Sequence, residues 1–105
     1  MRVDREIEVY IPNAFSPNNI DGINDVFMIF AKEGIVQNIN NFQVYDRWGT
    51  ELFIQENFQP NNPIHGWDGT FRGEKMNAGV FVYWAEIEFI DGSTQLFKGD
   101  VTLIE

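Results

Sequence analysis

The sequence predicts an all-β domain, a single antiparallel β-sandwich of about seven short strands, on three observations. Aromatic residues make up 15% of the chain and are mostly Phe, with Gly, Asn and β-branched residues frequent and Ala and Leu scarce. That balance suits pleated surfaces better than helices. Apolar and polar residues alternate through several runs, and turn residues interrupt those runs at roughly ten-residue intervals, the spacing of hairpin-connected strands. At 105 residues the chain can bury one core and is too short for two. We therefore read residues 1–105 as one domain, with residues 1–5 as linker.

Residues 6–11 alternate, with Ile7, Val9 and Ile11 on one side and Glu6, Glu8 and Tyr10 on the other, until Pro12 stops the pattern. This is a half-buried edge strand. The polar stretch from Asn13 to Phe27 is dense in Asn, Asp, Gly and Pro, yet Phe15, Ile20, Ile23 and Phe27 recur through it as apolar anchors. An ordered loop fits that composition better than a floppy linker. Residues 26–31 read as a short strand with Phe27 and Ile29 inward. Residues 32–41 read as a polar connection around Gly34, where Ile35 and Ile39 would permit one helical turn without compelling it.

A β-hairpin follows: residues 42–45, a turn at Asp46-Arg47-Trp48-Gly49, then residues 51–54, with Gly49 supplying the positive φ of the turn. Residues 56–66 read as a loop rich in Asn and Pro, leading to tight turns at Trp67-Asp68-Gly69-Thr70 and Arg72-Gly73-Glu74. The longest strand comes next. Phe81, Tyr83, Ala85, Ile87 and Phe89 are its expected core side, and Val82, Trp84, Glu86 and Glu88 its solvent side. Asp91-Gly92 closes a hairpin into residues 95–104, where Phe97, Gly99, Val101 and Leu103 share one side and Lys98, Asp100, Thr102 and Ile104 the other.

Charge and composition exclude several functions. The net charge is −9, and the seven Lys and Arg residues are scattered singly, so the basic patch that nucleic acid requires is missing. An acidic surface favours life in solution or at a cell surface and repels anionic lipid. No apolar run is long enough to cross a bilayer as a helix, and the N-terminus lacks the apolar core of a signal peptide; for an exported parent, Met1 would be an added start. With no cysteine, disulfides, thiolate zinc sites and cysteine nucleophiles are absent. Ser16, Ser93 and His65 leave almost no material for a nucleophilic triad, and His65 is expected to pack beside Trp67. The plentiful carboxylates read as a solvated acidic face rather than a glycosidase pair.

Asn18, Asp21, Asn24 and Asp25 offer oxygen donors of the kind a hard cation takes, calcium above all. They do not make an EF-hand: aligning Asp21-Gly22 to that loop puts Pro17 at the first ligand and Met28 where the bidentate Glu belongs. Asx-turns that cap the next strand account for the same residues and are preferred here, with another kind of calcium loop as the alternative. Trp48 and Trp67 read as hairpin-packing and core residues. Trp84, on the solvent side of the long strand, reads as an interface residue.

Taken in order, Ile11-Pro12-Asn13-Ala14-Phe15-Ser16-Pro17-Asn18, Asp21-Gly22-Ile23-Asn24-Asp25-Val26-Phe27, Tyr45-Asp46-Arg47-Trp48-Gly49, Trp67-Asp68-Gly69, Gly79-Val80-Phe81 and Lys98-Gly99-Asp100-Val101-Thr102-Leu103-Ile104 resemble the gliding motility-associated C-terminal domain, the type B sorting signal of the Bacteroidota type IX secretion system. The resemblance spans nearly the whole chain. It implies a non-catalytic, Ig-like sandwich at the C-terminus of large secreted or surface proteins, which suits a last strand followed at once by Glu105. It further implies an attached N-terminal passenger, recognition by the outer-membrane translocon and a dedicated β-barrel partner, and passage through the periplasm to the cell surface or beyond. Asn18-Asn19-Ile20-Asp21-Gly22 is one residue longer than the usual Asn-Gly-Asp-Gly, which weakens any carry-over of a fixed metal geometry. On this reading the partner-binding residues are Asn18, Asp21, Asn24, Asp25, Arg47, Trp48, Trp84, Lys98, Val101 and Leu103. Two other functions fit a sandwich: a carbohydrate-binding or adhesive module using exposed tryptophans and calcium, and a plain spacer.

Overall fold

Alternation carries most of the chain into one long sheet. The computed structural model describes residues 8–17 and 25–104. Along them lie β1 (Val9–Tyr10), β2 (Ala14–Phe15), β3 (Phe30–Ala31), β4 (Val36–Tyr45), β5 (Glu51–Phe58), a 3₁₀ turn (Pro63–His65), β6 (Thr70–Phe71), β7 (Glu74–Lys75), β8 (Gly79–Phe89) and β9 (Thr94–Leu103). Five of these strands pair in the order β2-β9-β8-β4-β5, while β1 pairs with β3 and β6 with β7. All pairings are antiparallel except that of β2 with β9, which is parallel over Ala14↔Thr102 and Phe15↔Leu103.

The fold is an all-β sandwich whose two layers differ in kind. One is the long sheet. The other is built from the β1–β3 pair, the extended Phe27–Ile29 stretch and Trp67. Phe27 and Trp67 exchange both main-chain hydrogen bonds, each at 2.8 Å, and their rings enter the core together. Phe27 meets Phe42 and Tyr83 at centroid distances of 5.3 Å, and Trp67 meets Phe81 at 5.2 Å and Phe15 at 5.5 Å. The Trp67 indole N–H donates to the Thr70 carbonyl at 2.9 Å, so its polar handle is satisfied inside the core. Phe81, Ala85, Ile87 and Phe89 are buried as the alternation predicts, and Tyr83 is half-buried.

Gly99 explains how Tyr83 fits. A Cβ at Gly99 would stand 2.8 Å from the Tyr83 hydroxyl and 3.0 Å from its ring. The tyrosine therefore lies across the bare glycine opposite it in the β8–β9 register.

The connection expected over residues 32–41 is instead half strand, because β4 begins at Val36. Its register against β8 shifts between Val36 and Asn38 and again between Ile39 and Asn41. Each shift is a bulge, with Gln37 and Asn40 as the extra residues. The bulges turn Val36, Ile39 and Phe42, three apart in sequence, onto the same buried face. β5 likewise runs on to Phe58, into the segment read as loop.

That loop is docked rather than free. Asn61, at a φ of 69°, donates its amide N–H to the Ile29 carbonyl at 2.9 Å. Its side chain accepts from the Ala31 N–H at 3.0 Å and donates to the Ala31 carbonyl at 2.9 Å. One asparagine thereby stands in for a strand partner on the edge of β3.

Candidate recognition surface

The β4–β5 turn is a rigid tip. One carboxylate oxygen of Asp46 accepts from the N–H groups of Trp48 and Thr50, both at 2.9 Å. The Asp46 carbonyl accepts from Gly49 N–H at 3.1 Å, and Gly49 sits at a φ of 86°. This is an Asx-stabilised turn that only a residue tolerant of positive φ can close. On it Trp48 is 82% exposed, with the Arg47 guanidinium 5.6 Å from its ring centroid. The expectation that Trp48 packs the hairpin is therefore corrected. A ring at the apex of a two-residue-wide turn has nothing beneath it to pack against.

The Trp48 tip lies at the same end of the sandwich as the flanks of the 13–27 loop. A depression of about 230 Å³ beside Trp48 is bordered by Met76, Ala78 and Val80. A second, of about 340 Å³, is bordered by Pro17, Asp25, Asp68, Leu103 and the same Met76. Gly69 closes this end tightly, since a Cβ there would stand 3.0 Å from Leu103 and 3.2 Å from Pro17. Asp68 is spent locally, accepting from Thr70 N–H at 3.1 Å and from its hydroxyl at 2.6 Å.

A different surface lies on the open face of the long sheet. Trp84 and Lys98 are register partners, and with Tyr45, Val82 and Leu96 they border a shallow groove of about 720 Å³. Trp84 is half-buried, and its indole N–H reaches the Tyr45 hydroxyl at 3.4 Å. Tyr45 in turn donates to Gln43, whose amide donates to Asn41 at 2.9 Å. This hydrogen-bonded row holds the open-face side chains upright across the two central strands. Burial raises the pKa of the nearby Tyr83 phenol above 10.0, and the carboxylate of Asp100 adds to the rise.

The ten residues expected at a binding surface thus divide. Arg47, Trp48 and Asp25 gather at one end, while Trp84 and Lys98 share the open face. Val101 and Leu103 are 0% and 2% exposed. Their side chains belong to the core and are closed to a partner of the folded domain, because the inward side of β9 is the side that packs. Asn18, Asp21 and Asn24 lie outside the described residues. Among the described residues, no group of three or more His, Cys, Asp or Glu side chains is placed to hold a metal. Val82 and Leu96, both exposed, were absent from that set of ten. Their signal was available as two apolar residues at outward positions of alternating strands.

The catalytic candidates are engaged elsewhere. The His65 ring lies 5.1 Å from that of Phe58, rather than beside Trp67 as expected. The Ser93 hydroxyl donates to Asp91 at 2.6 Å inside the β8–β9 turn.

With this geometry in place, comparison with family models is decisive. The model described as the CHU_C type IX secretion signal domain matches residues 9–103. The chain belongs to that family. The matched span opens on the first residue of β1 and closes on the last of β9, so the whole sandwich is the family's unit. Among curated proteins, nothing matches the chain. A CHU_C type IX secretion signal domain is a sorting signal. It acts for a passenger in the same chain, engages the type IX secretion system and directs export out of the cell. No helix among the described residues is long and apolar enough to cross a membrane.

Proposed function

We propose that this signal domain is recognised as a folded body by the outer-membrane translocon and a dedicated β-barrel partner protein, through the end carrying Arg47 and Trp48. The passenger follows from the periplasm to the cell surface or the medium. The observation that carries the reading is Trp48 itself. A tryptophan 82% exposed on a turn fixed by two Asp46 hydrogen bonds is preorganised as an anchor, since its display costs no further loop ordering on binding. Asp25 and Pro17 border the same end. Asn18, Asp21 and Asn24, which fall between those two in sequence, complete the proposed surface.

The test is a fluorescent reporter fused to the domain in a gliding Bacteroidota strain. Loss of an interface tryptophan typically costs about 2 kcal/mol or more, roughly thirtyfold in affinity. Trp48→Ala should therefore leave most of the reporter in the periplasm while the purified domain melts as the parent does. Export of Trp48→Ala at the parental level would refute the proposal.

A further inference from the structure

β9 is an edge strand over most of its length. Its inner side pairs with β8 through ten consecutive register partners without a bulge, from Gly79↔Leu103 to Glu88↔Thr94. Among the described residues, its outer side is covered only at the C-terminal end, where Thr102 N–H donates to the Asn13 carbonyl and Ile104 N–H to the Phe15 carbonyl, both at 2.9 Å. Main-chain groups of a strand point alternately to its two sides. If the amides of Thr102 and Ile104 face outward, so do those of Leu96, Lys98 and Asp100, together with their carbonyls. No other described strand pairs with them. The opposite edge of the sheet is protected by its own irregularity: β5 shifts register at its pairing with Tyr45 and carries Asn57 at a φ of 54°. β9 has no such device, and a straight, regular edge is a template for another strand.

We propose that the Leu96–Asp100 edge of β9 is a strand-addition site for an extended segment of the secretion machinery. The inference rests on the reading of this domain as a substrate of that machinery, and its site is distinct from the Trp48 end. β2 is the precedent within the molecule. It is already an extended strand added to this same edge, and an incoming segment would occupy, in line with it, the stretch that no other described strand covers. Main-chain pairing supplies the affinity and alternate side chains the selectivity. On the open face the incoming side chains would meet Leu96 and Val82, both exposed, beside Trp84. The groove's charged residues are Glu86, Asp100 and Lys98, one net negative charge on a chain of net charge −9. The segment is therefore one with alternate apolar side chains and a basic rather than acidic balance. A second copy of this chain would bring another nine negative charges and is disfavoured.

Proline separates the main-chain role from the fold. Within a sheet it is tolerated where its missing N–H would face away from the ladder, and it breaks the ladder where that N–H is used. Lys98→Pro removes an outward N–H, and Lys98→Thr keeps it while removing the charge. In the reporter fusion, Lys98→Pro is expected to cut export by about tenfold or more below Lys98→Thr, which lacks the charge but keeps the N–H, with the domain still protease-resistant in the periplasm, as loss of strand addition should. Export of a folded Lys98→Pro variant at the parental level would overturn the proposal. Retention of both variants would also overturn it, since the side chain rather than the main chain would then be read. Amide hydrogen exchange on the purified parent stands independently of how any variant folds. The N–H groups of Leu96, Lys98 and Asp100 should exchange fast while those of Phe97, Gly99 and Val101 are protected, and equal protection would mean the edge is closed. A concentration-dependent dimer that Lys98→Pro abolishes would assign the edge to a second copy and refute the stated occupant. Failure of the Trp48 reading shows instead as normal export of Trp48→Ala, whatever the Lys98 series does.

Discussion

Gly66→Ala should destabilise this domain far more than its position in a loop implies. The glycine has φ −96° and ψ 165°, which alanine adopts without strain, so the expected cost is entirely one of space. A Cβ there would stand 2.9 Å from the Phe27 carbonyl oxygen, 3.1 Å from the Met28 Cβ and 3.3 Å from the Val26 Cβ. The carbonyl cannot yield cheaply. It accepts from Trp67 N–H, and Phe27 N–H donates back to Trp67, while the Phe27 ring is held between Phe42 and Tyr83. Overpacking of this kind costs about 1–3 kcal/mol, and weakening two main-chain hydrogen bonds adds about 1 kcal/mol. The lower backbone entropy of alanine in the unfolded chain returns about 0.4–1 kcal/mol. A net loss of about 2 kcal/mol should lower the melting temperature by about 8–16 °C in a domain of this size. Thermal unfolding followed by near-ultraviolet circular dichroism, which reports Trp67, reads this directly. A variant melting within about 3 °C of the parent would refute the claim that the Phe27–Trp67 pair locks the second layer.

Asn61→Ala should lower stability by about 2–3 kcal/mol, through two side-chain hydrogen bonds and a non-glycine residue at positive φ; Asn61→Gly should recover only the conformational part, as chemical denaturation would show. Tyr83 bears on alkaline stability. Its pKa is raised in the folded state, so the unfolded chain gives up that proton first, and the stabilisation present below pH 10.0 is lost as pH rises beyond it. The melting temperature of the parent should therefore fall more steeply above that pH than that of Tyr83→Phe. Calcium occupancy of Asn18, Asp21, Asn24 and Asp25 would raise the melting temperature by mass action. The preferred reading of these side chains as turn caps instead predicts the same midpoint in calcium and in chelator.

The long sheet was legible because β8 and β9 obey a strict period of two, so every residue from Phe81 to Phe89 could be assigned a side. β4 was only half legible. Val36, Ile39 and Phe42 are spaced by three, and two bulges convert that spacing into a single buried face; no periodicity argument separates this from a helical turn. Trp48 was misassigned for a related reason. Composition marks a tryptophan as a core or interface residue without saying which, and the choice depends on what lies beneath it. Trp67 is 1% exposed because Phe27 pairs with it across forty residues of sequence, while Trp48 is 82% exposed because its turn projects past the sheet. Val101 and Leu103 were placed at the binding surface by motif position, although their alternation with Thr102 already put them on the packed side.

The burial of Val101 and Leu103 also bears on how a secretion signal can serve unrelated passengers. Trp48 and Lys98 are fifty residues apart in sequence and reach one body only through the register that sets Tyr45 against Val82 and Val82 against Asp100. What a translocon could read here is therefore a conformation, and the last strand contributes to it by being held rather than by offering its inward side chains. The core that holds it is built from residues of this domain, from Phe15 and Phe27 to Trp67 and Leu103. That core displays both the tip and the edge. A terminal strand read as a free peptide would lose both, since an isolated β9 has neither β2 nor β8 to orient its amides and a lone strand is not stable in water.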